Sequence, residues 1–134
     1  MTRVRGRAAA VAALLAAGLL LAACGGGGGG GDDEKAYVEP KGPAQETISI
    51  EAKNFSFTPD DISSEPGIVE LELVGKGGLH DLVFDDGAYP GFQLEVNGSA
   101  TDAKKIDLKA GKYTFYCTFP GHRSAGMEGT LTVK

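Results

Sequence analysis

From Thr47 to the end of the chain, apolar residues recur at every second position, and that period restricts the fold before composition is considered. Ile48, Ile50 and Ala52 alternate with Thr47, Ser49 and Glu51, and Val69, Leu71 and Leu73 alternate with Glu70 and Glu72. Ile106 and Leu108 alternate with Lys105, Asp107 and Lys109, and Leu131 and Val133 with Thr130 and Thr132. Successive side chains of a strand point to opposite faces, so each segment buries one face and leaves the other in water. No segment of this part shows a convincing helical period. Turn residues separate the runs at Pro59-Asp60-Asp61, Pro66-Gly67, Gly75-Lys76-Gly77-Gly78, Asp85-Asp86-Gly87, Asn97-Gly98 and Ala110-Gly111. Short strands at this spacing predict an all-β chain, an antiparallel sandwich or barrel. Residues 86–100 have no clear period and are expected to form a loop with at most one short strand or helix. Asn97-Gly98-Ser99 also fits a glycosylation sequon, but Asn-Gly is read here as a turn.

The front of the chain has a different character. Arg3, Arg5 and Arg7 precede an apolar run from Ala8 to Ala23, shorter than the roughly 20 residues of a membrane span, so residues 1–23 read as a signal peptide. The arginines are never adjacent, which favours a general secretory route over a twin-arginine one. Leu21-Ala22-Ala23-Cys24 resembles the lipobox of bacterial lipoproteins, in which the cysteine is lipidated after cleavage. That resemblance implies export and a lipid anchor at Cys24, either on the outer face of the cell membrane or in the periplasm. The glycine tract Gly25 to Gly31, the acidic Asp32-Asp33-Glu34 and the prolines Pro40 and Pro43 are too poor in large apolar residues to build a core. Residues 24–44 are therefore expected to be a flexible tether, and residues 45–134 the folded domain. Three of the 13 basic residues lie in the leader, leaving ten against 18 acidic ones, a net charge near −8 after processing. Nucleic acid is excluded as a partner, because phosphate binding needs a basic footprint.

Chemistry concentrates in Tyr116-Cys117-Thr118-Phe119-Pro120-Gly121-His122-Arg123-Ser124-Ala125-Gly126-Met127, where a thiol, an imidazole and a thioether stand at C-x4-H-x4-M spacing. Strand parity adds the other histidine. Tyr113, Phe115 and Cys117 share one face of a strand, and His80 shares a face with Leu82 and Phe84, so Cys117 and His80 both point inward. If the two strands are neighbours, both residues meet at one end of the sandwich. Alone, His80 would be an ordinary buried histidine and Met127 core filler. Together, thiolate, thioether and imidazole are the donor set of a soft, redox-active metal, copper above all. A bound metal would also occupy Cys117, which has no disulfide partner if Cys24 carries lipid.

With these residues the segment 45–134 resembles the cupredoxins, the small blue copper proteins that include plastocyanin and azurin. The loop from Cys117 to Met127 is similar in spacing to those of rusticyanin, auracyanin and sulfocyanin, whereas plastocyanin is shorter between cysteine and histidine and azurin between histidine and methionine. Tyr113-Thr114-Phe115-Tyr116-Cys117 and Gly129-Thr130-Leu131-Thr132-Val133 match the last two strands of that family. The resemblance implies a Greek-key β-sandwich and one type 1 copper, with His80, Cys117 and His122 as trigonal ligands and Met127 as the weak axial one. It implies single-electron transfer between redox proteins, no small-molecule substrate and a monomer. A departure sits at Asp81, where many relatives have asparagine; its carboxylate is expected to accept a hydrogen bond from Thr118. His122 is the expected electron port, within an apolar patch of Phe119, Pro120, Gly91 and Phe92 with Arg123 on its rim.

Other classes lack parts. A multicopper oxidase needs more histidines than two, a dinuclear copper site needs a second cysteine on the loop, and a cysteine hydrolase needs a third orienting group. The reading is therefore not an enzyme. A copper carrier or chaperone that delivers or buffers copper is the alternative, and the buried Cys117 argues against its open, exchangeable ligation.

Overall fold

The computed structural model describes residues 36–134. The leader, Cys24 and the glycine tract lie outside the described residues. Nine strands follow in order: β1 (Thr47–Lys53), β2 (Ser56–Thr58), β3 (Asp61–Ser64), β4 (Gly67–Gly75), β5 (Leu79–Phe84), β6 (Leu94–Asn97), β7 (Thr101–Leu108), β8 (Gly111–Tyr116) and β9 (Glu128–Val133), with one 3-10 turn at Arg123–Ala125. They form two sheets, ordered β2-β1-β4-β7 and β3-β9-β8-β5-β6. The chain passes between the sheets after β2, β3, β4, β6 and β7, so neither sheet is built from consecutive strands alone.

The alternation read from the sequence becomes the core between the sheets. Ile50 and Ala52 of β1, Val69, Leu71 and Leu73 of β4, Ile106 and Leu108 of β7, and Leu131 and Val133 of β9 are all buried. Segment 86–100 contributes β6 and the buried Phe92, and its Asn97-Gly98 step is a turn with Gly98 at φ +64°.

Three expectations need correction. The sandwich is not wholly antiparallel, because β1 pairs with β4 and β3 with β9 in parallel. Between β1 and β4 the chain turns back through β2 in the same sheet and crosses to the other sheet for β3, so it re-enters beside β1 running the same way. The tether does not extend to Ala44. Tyr37 stands edge-on to Phe92 with ring centroids 5.0 Å apart, its hydroxyl donates to the Lys105 carbonyl at 3.0 Å, and Lys105 Nζ donates to the Gly42 carbonyl at 2.9 Å. Residues 37–42 thus cover the edge strand β7, which would otherwise present open backbone groups. Phe92 is 3% exposed and packs on Phe84, so it belongs to the core and not to a surface patch.

The site sits where β5 and β8 part. These strands pair antiparallel, with Val83 opposite Tyr116 and Phe84 opposite Phe115. Two positions further along that register, Asp81 faces Thr118 after the backbone ladder has ended. His80 at the start of β5 and Cys117 just beyond β8 therefore reach the same end of the sandwich.

Candidate metal centre

Each inward residue is placed by a local constraint. His80 is 2% exposed and follows the turn Gly77-Gly78, both at positive φ. A β-carbon on Gly78 would come within 3.1 Å of His80 Nε2, so a side chain there would push on the ring. The Gly77 carbonyl accepts a hydrogen bond from His80 Nε2 at 2.9 Å. A carbonyl can only accept, so Nε2 carries the proton and Nδ1 is left with a lone pair.

The loop after β8 is laced by its own backbone. Cys117 N–H donates to the Met127 carbonyl (3.1 Å), Met127 N–H to the His122 carbonyl (3.0 Å) and His122 N–H to the Phe119 carbonyl (3.0 Å). Gly121 at φ +82° and Gly126 at φ +107° supply the left-handed turns this path requires. Cys117 and Met127 are both fully buried, whereas His122 is half-buried.

His80, Cys117 and His122 are thereby brought together, with one nitrogen or sulfur of each lying within 4.8 Å of the others. Cys117 Sγ is 3.3 Å from His122 Nδ1, and the two imidazole centroids are 5.2 Å apart. His80 Nδ1 is the one buried side-chain polar atom among the described residues with no hydrogen-bond partner. A buried polar atom without a partner costs about 1–3 kcal/mol, and such an orphan facing a thiol and a second imidazole fits a metal ion as the missing partner. Burial pushes the Cys117 thiol above its ordinary value, while the backbone amides of Asp81 and Phe119 pull it part of the way back. The thiol of the metal-free protein is therefore protonated at neutral pH, and metal binding releases that proton.

Asp81 lies on the opposite face of β5 from His80 yet is 0% exposed. Its Oδ1 accepts from Thr118 N–H at 2.6 Å, and its Oδ2 accepts from the Thr118 hydroxyl and from Gln93 Nε2, the latter at 2.9 Å. The carboxylate takes over where the β5–β8 ladder stops and ties Thr118, next to Cys117, to the strand that carries His80. Gln93 itself is held through its carbonyl by the Lys104 ammonium.

Two residues near the site carried no signal in the sequence. Gln93 sits in the segment without a period. Phe55 lies in the β1–β2 turn, 5.0 Å edge-on from His122, with Phe119 on the ligand loop at 5.8 Å. Of the expected surface patch, Phe119 and Pro120 lie by His122, Phe92 is in the core, and Arg123 is drawn down by Asp85 (2.5 Å) and Glu128 (2.9 Å) onto the Tyr116 ring.

Residues 44–134 match the family described as copper binding proteins, plastocyanin/azurin family. Plastocyanin of Dryopteris crassirhizoma is 40% identical over 105 aligned residues, covering 68% of this chain and all of that protein. Plastocyanin of Nostoc punctiforme is 32% identical over 93 residues, covering 60% of this chain and 66% of that one. Among solved structures, auracyanin B superposes with a TM-score of 0.63 at 22% identity over 72% of this chain and 94% of its own. Auracyanin A of Chloroflexus aurantiacus gives 0.57 at 20% identity over 66% and 98%; these two likenesses concern the fold. With its sandwich and its His80–Cys117–His122 cluster suited to one type 1 copper, the chain belongs to the plastocyanin/azurin family of copper-binding proteins, the cupredoxins.

Proposed function

We propose that this protein carries single electrons between other redox proteins, as a monomer held at a membrane surface by a lipidated Cys24. Its copper would be held by His80, Cys117 and His122, with the buried thioether of Met127 as a further, weaker ligand. The observation that carries this reading is the unpartnered Nδ1 of buried His80, set against the Cys117 thiol and His122 Nδ1. Bound copper supplies a Cu(I)/Cu(II) couple, for which imidazole, thiolate and thioether are acceptable in both states.

The chain's part is to hold its ligands still. His80 is fixed in one tautomer by the Gly77 carbonyl, Cys117 by its amide bond to Met127, and the following Thr118 by Asp81. A site held in this way has little to rearrange when its charge changes, which suits fast transfer. His122 Nδ1 lies 3.3 Å from Cys117 Sγ and its imidazole is half-buried, whereas His80, Cys117 and Met127 are buried, so His122 is the port by which electrons would enter and leave. Phe55, 48% exposed, surrounds it together with Phe119 and the exposed Pro120, an apolar rim suited to brief encounters. The tether would let the domain reach its partners, and no substrate need bind, so the reading is a carrier and not an enzyme.

The deciding experiment is the visible spectrum of residues 32–134 loaded with Cu(II), beside Cys117→Ser. An intense blue or green thiolate-to-copper band, absent in Cys117→Ser and reversibly bleached by a reductant, is the expected result. A colourless protein with labile copper would mark a copper carrier, and a protein that takes up no copper would refute the ligand set. Labelling of the full chain with a fatty acid, lost in Cys24→Ser, tests the anchor.

A further inference from the structure

The turn joining β1 to β2 contains a residue that is unfavourable on two counts. Phe55 has a backbone φ of +68°, and 48% of its surface is exposed. The second position of a two-residue hairpin turn with that φ normally takes glycine or asparagine, and a bulky aromatic residue there is an outlier. Asparagine is present one position earlier, and elsewhere the chain meets the same demand with glycine at Gly78, Gly98, Gly121 and Gly126, with Asp86, and with Tyr89, whose ring, unlike that of Phe55, is half-buried against Phe84 and Tyr113. Exposure of the ring gives up the gain of burial as well. Among the described residues the ring's one aromatic neighbour is His122, at 5.0 Å between centroids and 76° between planes. The turn also packs on the ligand loop, since a β-carbon on Gly126 would lie 4.0 Å from the Phe55 carbonyl.

His122 needs such a neighbour. Its backbone bonds to Phe119 and Met127 fix where the residue starts, but they do not fix rotation of the imidazole about its side-chain bonds. His80 at 5.2 Å and Phe119 at 5.8 Å bound the ring from within the site and from its own loop. The exposed side is left to the β1–β2 turn. Sparsely populated backbone conformations persist where the surrounding structure over-determines them, and they cluster at functional sites.

We propose that Phe55 is a positioning residue for His122: its ring closes the solvent side of the imidazole and keeps Nδ1 turned toward Cys117, and the turn is held in a strained conformation to place it there. The inference rests on His122 being a metal ligand. Edge-on aromatic contact is the force involved, and it is short-ranged enough that a branched aliphatic side chain cannot replace it.

The test compares wild type, Phe55→Asn and Phe55→Leu, each metal-free and copper-loaded. Asparagine tolerates the left-handed conformation, whereas leucine is strained in it as phenylalanine is. In the metal-free proteins, Phe55→Asn is expected to melt above Phe55→Leu, while both variants replace a single sharp set of His122 ring proton resonances by broadened or doubled ones. In the loaded proteins, a chelator is expected to remove copper about fivefold faster from both variants, the factor one aromatic contact supplies. A merely structural ring would make copper release follow the melting temperature, so that Phe55→Asn would release more slowly than Phe55→Leu. That ordering would overturn the proposal, as would unchanged His122 resonances in both variants. If wild type binds no copper, the electron-carrier reading falls, while the melting order and the His122 resonances of the metal-free proteins still decide this one.

Discussion

Asp81→Ala and Asp81→Asn together measure what the buried carboxylate contributes to the loop that carries Cys117. Three donors converge on its two oxygens: the Thr118 amide, the Thr118 hydroxyl and the Gln93 side-chain amide. Alanine removes all three acceptor contacts. Thr118 and Gln93 are exposed residues, so the hydroxyl and the side-chain amide can turn to water at little cost. The Thr118 N–H cannot turn, because it points between β5 and β8, and loss of a hydrogen bond to a charged group costs about 1.5–3 kcal/mol. A small void where a 0% exposed side chain stood brings the expected loss to about 3 kcal/mol. For a domain of this size that lowers the melting temperature by about 12–24 °C.

Asparagine retains one carbonyl oxygen, which can still accept from the Thr118 N–H. Its amide then faces the Thr118 hydroxyl, which can accept, and Gln93, whose side chain can present its oxygen after a half-turn. The expected loss is about 1 kcal/mol, the difference between a charge-assisted and a neutral hydrogen bond. Urea unfolding of the metal-free protein reads both values. In the copper-loaded protein, Asp81→Asn also removes a negative charge beside the site, so its reduction potential should rise. Equal losses for alanine and asparagine, or no loss for alanine, would show that the Asp81–Thr118 tie does not hold the loop.

Three further outcomes follow from particular contacts. Gly129→Ala should abolish stable folding or lower stability by more than about 3 kcal/mol in thermal melts, because its β-carbon would collide with the Phe115 ring and lie 2.6 Å from the Asp60 carbonyl. Stability should fall as pH rises above about 10: burial raises Tyr89 and Tyr37 above the ordinary tyrosine value of 10.0, so both are more easily ionised in the unfolded chain, and their contribution is full below pH 10 and lost above it. Denaturant titrations at pH 8 and pH 11 check this, and Tyr89→Phe should flatten the dependence. Tyr37→Ala should cost about 1–2 kcal/mol through the lost ring contact with Phe92 and the bond to Lys105, and a chain begun at Gln45 should melt below one begun at Ala36.

The alternation of Ile50, Ala52, Val69, Leu71 and Leu73 was enough to place the core, because a period of two leaves a strand one choice of buried face. The same parity sent His80 and Cys117 inward, and the short loop brought His122 with them. Parity fails where a strand is covered on both sides. Asp81, on the face that alternation assigns to solvent, is buried because the ligand loop folds back over it, and only the resemblance to the cupredoxins, many of which have an asparagine tied to that loop here, pointed to the contact. The parallel pairings of β1 with β4 and β3 with β9 were not legible, since they depend on which sheet each crossing enters, and the turn residues that mark a crossing do not say where it leads. Phe92 and Tyr37 belong to a single contact that neither segment announces, one having no period and the other lying among prolines and charges. Phe55 was missed for a related reason. In Lys53-Asn54-Phe55-Ser56-Phe57 a phenylalanine two residues from another looks like one more inward position of a strand, and Phe57 is indeed buried. Only the backbone shows that the chain reverses between them, and the local rule Phe55 breaks by occupying a glycine position coincides with its contact to His122, where violations of local preference are expected to gather.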